Sequence, residues 1–148
     1  MAVVVMKCGG TSVADVGRIR NVARHVKREV DAGNKVAVVV SAMAGATNQL
    51  VAWVNEASAL ADKREYDAVV ASGEQVTAGL TAIVLQSMGV KARSWQGWQV
   101  PVETTAAHGS ARISGIAGEA LKRSLDAGEV AVITGLQGIE PKAGRIPT

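Results

Sequence analysis

Seven residues near the amino terminus, Lys7-Cys8-Gly9-Gly10-Thr11-Ser12-Val13, combine one ammonium group, two adjacent glycines and two hydroxyls. That set suits an anion such as a phosphate. Glycine has no Cβ, so its backbone can approach an oxyanion closely. Amides that open a helix supply donors together with the Thr11 and Ser12 hydroxyls, and the helix N-terminus adds a favourable dipole. Lys7 contributes a full positive charge. Because the lysine precedes the glycines, the G-x-x-x-x-G-K-[ST] order of a Walker loop is absent. The same residues also read as a Gly-Gly turn followed by a Ser/Thr helix cap, and spacing alone leaves both readings open.

Three other stretches place small residues beside polar ones. Ser41-Ala42-Met43-Ala44-Gly45-Ala46-Thr47 can line a polar pocket or cap a helix. Ser72-Gly73-Glu74 offers a carboxylate that can cap a helix start or accept hydrogen bonds from a substrate ammonium. Ile133-Thr134-Gly135-Leu136-Gln137-Gly138 again sets glycines after an apolar run. Four such turns, joined by one Lys and one Glu, favour a shared site over coincidence.

The remaining reactive side chains point to less. His25 and His108 with Cys8 cannot assemble a zinc set, so no metal ligand is expected. His25 falls beside the buried face of a helical pattern and reads as a surface or structural residue. Cys8 lies next to a cation and a helix start, which can acidify a thiol, although packing is the simpler role. Trp53, Trp95 and Trp98 read as packing residues.

The elements that must position these turns alternate. Val3 to Met6, Val36 to Val40 and Val130 to Ile133 are short runs rich in β-branched residues, expected as buried strands, and Val90 to Trp95 is expected as a further strand. Between the first two, Ile19, Val22, Val26 and Val30 recur at helical steps, and Gly33 stands where a helix C-terminus takes φ > 0. A second helix is expected from about Thr47, burying Leu50, Val51, Val54 and Leu60. A third is expected from about Glu74 to Met88, carrying Val76, Leu80, Ile83 and Val84 as its apolar positions and stopping at Gly89; a fourth runs from Ile113 to Leu125, ending at Gly128. Gln96 to Gly109 mixes Trp, Pro, Thr and Gly and reads as a long loop or edge hairpin. The alternation predicts a three-layer αβα sandwich around a mostly parallel sheet with right-handed crossovers. Ligands of such sheets bind beyond the carboxyl ends of the strands, where three of these turns fall, Ser72-Gly73-Glu74 standing at a helix start.

Composition agrees. At 148 residues, with 48% hydrophobic and 20% charged side chains, the chain has the size and make-up of one globular domain. With no Phe, its core must be built from Val, Ala, Leu and Ile. A net charge of +3 suits small anions, and the near absence of aromatics among the basic residues argues against nucleic acid. No apolar run is expected to reach the roughly 20 residues of a membrane span. A single cysteine fits a reducing compartment, so a cytoplasmic location is expected.

Taken in order, these turns resemble the aspartokinases of the amino-acid kinase superfamily. Lys7 to Val13 is similar to the family's opening K-x-G-G-T-S-V, and Ser41 to Thr47 to its second-strand loop. Ser72-Gly73-Glu74 is similar to its S-x-G-E, and the stretch from Gly97 to Ile113 to the segment that follows. Ile133 to Ile139 resembles the strand and turn before its G-R-G-G-S-D. The resemblance implies ATP-dependent phosphorylation of the β-carboxylate of L-aspartate, giving 4-phospho-L-aspartate for lysine, threonine and methionine synthesis. By the same resemblance, Lys7 would neutralise the phosphoryl group in flight. Lys7, Cys8, Gly9, Gly10, Thr11 and Ser12 would surround the ATP phosphates, with Mg2+ carried on those phosphates. Ser41 would lie by nucleotide and substrate, Thr47 would contact aspartate, and Glu74 would hold its ammonium.

Cys8 replaces the aromatic residue usual after the lysine. Gly144-Arg145-Ile146-Pro147-Thr148 stands just before the point where G-R-G-G-S-D would begin. The expectation is therefore an amino-terminal, substrate-binding part of an amino-acid kinase domain over residues 1–148, without the nucleotide lobe and ACT regulatory domains. Such a chain is expected to be inactive alone, and to self-associate or pair with a carboxyl-terminal half. Two alternatives remain: a non-catalytic aspartate- or phosphate-binding or assembly module, and another carboxylate kinase such as acetylglutamate kinase. An acylated amine needs no ammonium-binding Glu74, which weighs against the latter.

Overall fold

The computed structural model describes residues 1–142 and 144–148. Four parallel strands form the main sheet: β1 (Val3–Cys8), β2 (Lys35–Val40), β3 (Ala92–Trp95) and β6 (Val130–Thr134), in the order β1-β2-β6-β3. Val4 pairs with Val36 and Val38 with Val132, so the β-branched runs lie side by side in register. Side chains alternate between two faces. One face sends Val36, Val38, Val40, Val130 and Val132 into the main core, and Met6 and Cys8 pack against it.

Helix α1 (Val16–Asp31) covers that face, burying Ile19, Val22, Ala23 and Val26. It starts at Asp15, whose carboxylate accepts from the Arg18 N–H at 2.8 Å. After Ala32 the chain leaves through Gly33 at φ +85°, as the sequence pattern expects. The other face carries α5 (Glu119–Asp126), whose Leu125 packs with Ala37 and Ala131. Asp126, at the end of α5, is held by Lys122 and by Lys35 of β2, and these hydrogen bonds lower its pKa to about 2. The three-layer αβα sandwich is therefore present with unequal coverage: Val3 and Val5 of the edge strand remain exposed.

Between β2 and β3 lie α2 (Ala46–Ala57), α3 (Lys63–Val70) and α4 (Ser72–Ser87). The second helix starts where expected but ends at Ala57, and Leu60 is 94% exposed beyond it. Helix α3 has no counterpart in the sequence reading; Asp62 caps it by accepting from the Arg64 and Glu65 amides. The third expected helix, α4, keeps only part of the expected face: Val84 is buried and Leu80 packs against the core. Val76 and Ile83 face outward, 56% and 60% exposed, while Glu74, Thr77, Ala78, Thr81, Ala82 and Leu85 are inside. The buried threonines bond back to their own helix, Thr77 to the Gly73 carbonyl at 3.1 Å and Thr81 to the Thr77 carbonyl at 2.8 Å. Their hydroxyls therefore bury without an orphaned donor, and the small face lets α4 lie against α1.

Residues Lys63–Ser87 run together as a helix long and apolar enough to cross a membrane, contrary to the sequence expectation. Its inner side is part of the αβα core, as the buried residues of α4 attest.

The expected helix from Ile113 is instead β5 (Ile113–Ile116) followed by α5. Gly115 and Gly118 interrupt the helical pattern, and the β-branched isoleucines pair antiparallel with β4 (Val102–Thr104). The stretch from Gln96 to Gly109 thus supplies one arm, β4, of a hairpin whose other arm lies beyond it, in a sheet separate from the main one. The hairpin docks on the segment after β6, Thr104 donating its N–H to the Ile139 carbonyl and Ile139 its N–H to the Val102 carbonyl, each at 2.9 Å. Gly138 makes this possible: a Cβ there would lie 2.4 Å from Thr104 Cγ2 and 2.6 Å from the Val102 oxygen. Gly138→Ala is expected to cost about 2 kcal/mol of stability, read as an earlier urea midpoint, while Gly118→Ala, where a Cβ meets nothing, serves as the control. Trp53 and Trp98 are 57% and 39% exposed, so neither packs as expected.

Candidate active site

The turns singled out in the sequence meet at the carboxyl ends of β1, β2 and β6. Ser41 donates its N–H to the Cys8 carbonyl at 3.1 Å, and Gly135 donates to the Val40 carbonyl at 2.9 Å. These bonds fix the exits of the three strands side by side. A Cβ on Gly10 would sit 3.4 Å from the Ala42 oxygen, so the first loop also lies against the second.

The first loop has its own turn rather than a helix start. Ser12 donates its amide to Gly9 and Val13 to Gly10, at 2.9 and 3.3 Å. Helix α1 begins later, and Asp15 occupies its N-terminus, so the helix dipole expected at Thr11 and Ser12 is not available there. Other donors remain. Among the described residues, the Gly9, Gly10 and Thr11 amides donate to no backbone acceptor. The hydroxyls of Thr11, Ser12, Ser41 and Thr47 likewise have no hydrogen-bond partner among the described residues, and α2 carries no side-chain cap bond. Thr47 is thus free of the capping role the sequence left open. Lys7 is exposed on the face of β1 opposite Cys8 and makes no ion pair among the described residues. The thiol of Cys8 packs against the core, and burial raises its pKa, the reverse of acidification.

Glu74 is the least ordinary group. It is 3% exposed, in the first turn of α4. Its Oε1 accepts the Ala42 N–H at 3.1 Å, across from the loop that follows β2. Its Oε2 is buried without any partner. Gly73 brings the two segments this close, since a Cβ there would be 2.9 Å from that of Ala42. Glu74 does not cap a free helix start, because α3 runs almost directly into α4. Burial raises its pKa, while the Ala42 and Glu74 amides pull it down. A buried carboxylate with one unanswered oxygen is costly unless a donor completes it. An ammonium group would do so.

A second buried carboxylate was not singled out in the sequence. Asp67 of α3 is fully buried and accepts from His108 Nδ1 at 2.7 Å, from the Gly109 N–H at 3.2 Å and from the Thr148 hydroxyl. It ties the tip of the β4–β5 hairpin and residue 148 to α3, the helix just before the one that carries Glu74. His25, by contrast, is exposed beside Arg28.

The sequence pattern of the amino acid kinase family matches residues 2–148. The chain belongs to the amino acid kinase family. Within it, the chain is 44% identical over 151 residues to an aspartokinase of Rickettsia conorii. That match covers the whole chain but 37% of the relative, so the chain spans little more than a third of its length. Among solved structures, the aspartate kinase of Synechocystis superposes with a TM-score of 0.79 at 37% identity, covering 97% of this chain and 23% of that one. Aspartokinase III of E. coli, in complex with aspartate and ADP, superposes with a TM-score of 0.84 at 25% identity, covering all of this chain and 43% of that one. The family relationship accounts for the αβα architecture, which the superposed structures share.

Proposed function

We propose that this chain forms the aspartate-binding part of an ATP-dependent aspartate kinase, which transfers the γ-phosphoryl group to the β-carboxylate of L-aspartate and yields 4-phospho-L-aspartate. The observation that carries this reading is the buried, unpartnered Oε2 of Glu74. It asks for a cationic donor, and the α-ammonium of an amino acid is one. We assign the rest of the amino acid to Ser41, on the loop after β2, and Thr47, in the first turn of α2, whose hydroxyls have no partner among the described residues.

For the nucleotide, the free amides of Gly9, Gly10 and Thr11 and the hydroxyls of Thr11 and Ser12 fit phosphate oxygens. Cys8 contributes only its place in the loop. Lys7 would offset the charge of the phosphoryl group as it moves, which is how phosphoryl transfer is mostly accelerated. Among the described residues no group of three or more His, Cys, Asp or Glu side chains gathers as a metal site, and we assign Mg2+ to the ATP phosphates. The uncovered face of β1, with Val3 and Val5 exposed, is where we place a covering segment such as the further polypeptide that the relatives possess.

Two measurements test the proposal. Titration with ATP is expected to shift the amide resonances of Gly9, Gly10 and Thr11; unchanged resonances would contradict phosphate binding there. In a coupled ADP-release assay the 148-residue chain is expected to show negligible aspartate-dependent turnover. Turnover equal to that of a longer aspartokinase would refute the view that it supplies only part of the centre.

A further inference from the structure

The turn after β6 holds a buried amide that neither the phosphate nor the aspartate contacts use. Gln137 is 8% exposed. Its Nε2 donates to the Ala71 carbonyl at 3.0 Å, and its Oε1 accepts the Gly97 N–H at 3.2 Å. Both partners are main-chain groups, 66 and 40 residues away in sequence. Ala71 is the fully buried joint between α3 and α4. Gly97 follows β3 and lies against the same residue, since a Cβ there would be 2.9 Å from Gln137 Cγ and 3.0 Å from its carbonyl oxygen. One side chain thus joins the exits of β3 and β6 to the start of the helix that carries Glu74. The backbone is bent to deliver it. Leu136 is, among the described residues, the only non-glycine with a positive φ, +57°. A left-handed leucine is disfavoured by its own Cβ and persists where the surroundings over-determine it. Burial of Leu136 is not the reason, because it stands 58% exposed. What the turn achieves is to carry the next side chain, Gln137, inside.

We propose that Gln137 is a positioning residue for Glu74, a role that rests on the reading of Glu74 as the ammonium site. Glu74 follows Ala71 by nearly one helical turn, so a shift of the joint moves the carboxylate with it. The Ala42 N–H holds Oε1 from the loop after β2. That bond fixes the carboxylate but not the joint behind it, and Gln137 supplies the second fixed point from the turn after β6. With both in place, Oε2 is kept buried and unanswered, ready for a cation. The amide suits this task because it is uncharged and both its ends are satisfied, so its own burial leaves no orphaned group.

The amide resonance of Ala42 tests the role without ligand, because that N–H donates to Glu74 Oε1 at 3.1 Å. In Gln137→Met, which keeps the side chain's length and removes its amide, the resonance is expected to move toward its position in Glu74→Ala. Gln137→Glu, which can accept from Gly97 but cannot donate to Ala71, should move it likewise. Val26→Ala, which opens a cavity in the core under α1, lowers stability without touching the joint and should leave the resonance in place. In calorimetry, Gln137→Met is expected to weaken L-aspartate binding about 10-fold, and to add nothing once Glu74→Gln is present, the non-additivity of residues that act as one. An Ala42 resonance unmoved in both Gln137 variants, or additive losses of affinity, would overturn the positioning role. If Ala42 responds while Glu74→Gln leaves aspartate binding untouched, Gln137 still positions the carboxylate and the ammonium reading alone fails.

Discussion

Glu74→Gln is expected to weaken L-aspartate binding about 100-fold, equivalent to roughly 2.7 kcal/mol. The substitution keeps the shape and an oxygen able to accept the Ala42 N–H, now 3.1 Å away. What it removes is the charge at Oε2, which has no partner among the described residues. The stability of the unliganded chain should move the other way. Burial raises the pKa of Glu74, so the folded state favours the protonated form. A raised carboxyl pKa contributes stability that is present at low pH and lost as pH rises through the folded value. At neutral pH the native side chain therefore carries a penalty that Gln lacks. Thermal unfolding should show Glu74→Gln above the parent at neutral pH, with the difference closing in acid. Unchanged aspartate affinity in calorimetry would remove the ammonium role, whatever the stability result.

The second large effect is expected at Asp67. Truncation to Ala leaves His108 Nδ1, the Gly109 amide and the Thr148 hydroxyl without their shared acceptor. Losing three hydrogen bonds to one buried carboxylate costs about 3 kcal/mol, which lowers the melting temperature by roughly 6–12 °C in a chain of this size. The damage should be local before it is global. Amide hydrogen exchange at Gly109 should accelerate well ahead of exchange in β2, because Asp67 holds the hairpin tip and not the sheet. Asp67→Asn, which keeps an acceptor oxygen, should lie between the two. A loss below about 1 kcal/mol would mean that the hairpin is held by its backbone bonds to the segment after β6.

The two carboxylates differ in how they announce themselves. Glu74 was legible because it stands beside Gly73 and Ser72, at a turn that the strand alternation places with three similar turns. Asp67 sits in Lys63–Val70, a stretch of eight residues with charges at four positions and no clear periodicity. Its role depends on His108 and Thr148, which are 41 and 81 residues away in sequence, and no local pattern records such a distance. The main-sheet strands were legible because β-branched runs buried on both faces are nearly continuous in sequence. The inner face of α4 was misread for a physical reason. Periodicity assumes that large apolar groups face inward, whereas here threonine hydroxyls are satisfied along their own helix and alanines permit close packing against α1. Ile113–Ile116 misled for a related reason: a short apolar run fits a helix or a strand, and the partner strand β4 decides.

The same logic sharpens the first loop. Lys7 to Ser12 carried a phosphate-binding signature, but the expected helix dipole is absent because Asp15 caps α1. Any anion held there depends on free amides, hydroxyls and Lys7 alone.

Calorimetric titration of the chain with L-aspartate and, in parallel, with N-acetyl-L-aspartate tests the central claim most directly. The two ligands share both carboxylates and differ in whether the amine carries a charge. The account predicts measurable heat with L-aspartate and none with the acetylated form. Equal binding of both, or binding of the acetylated form alone, would contradict a site built around the unanswered oxygen of Glu74.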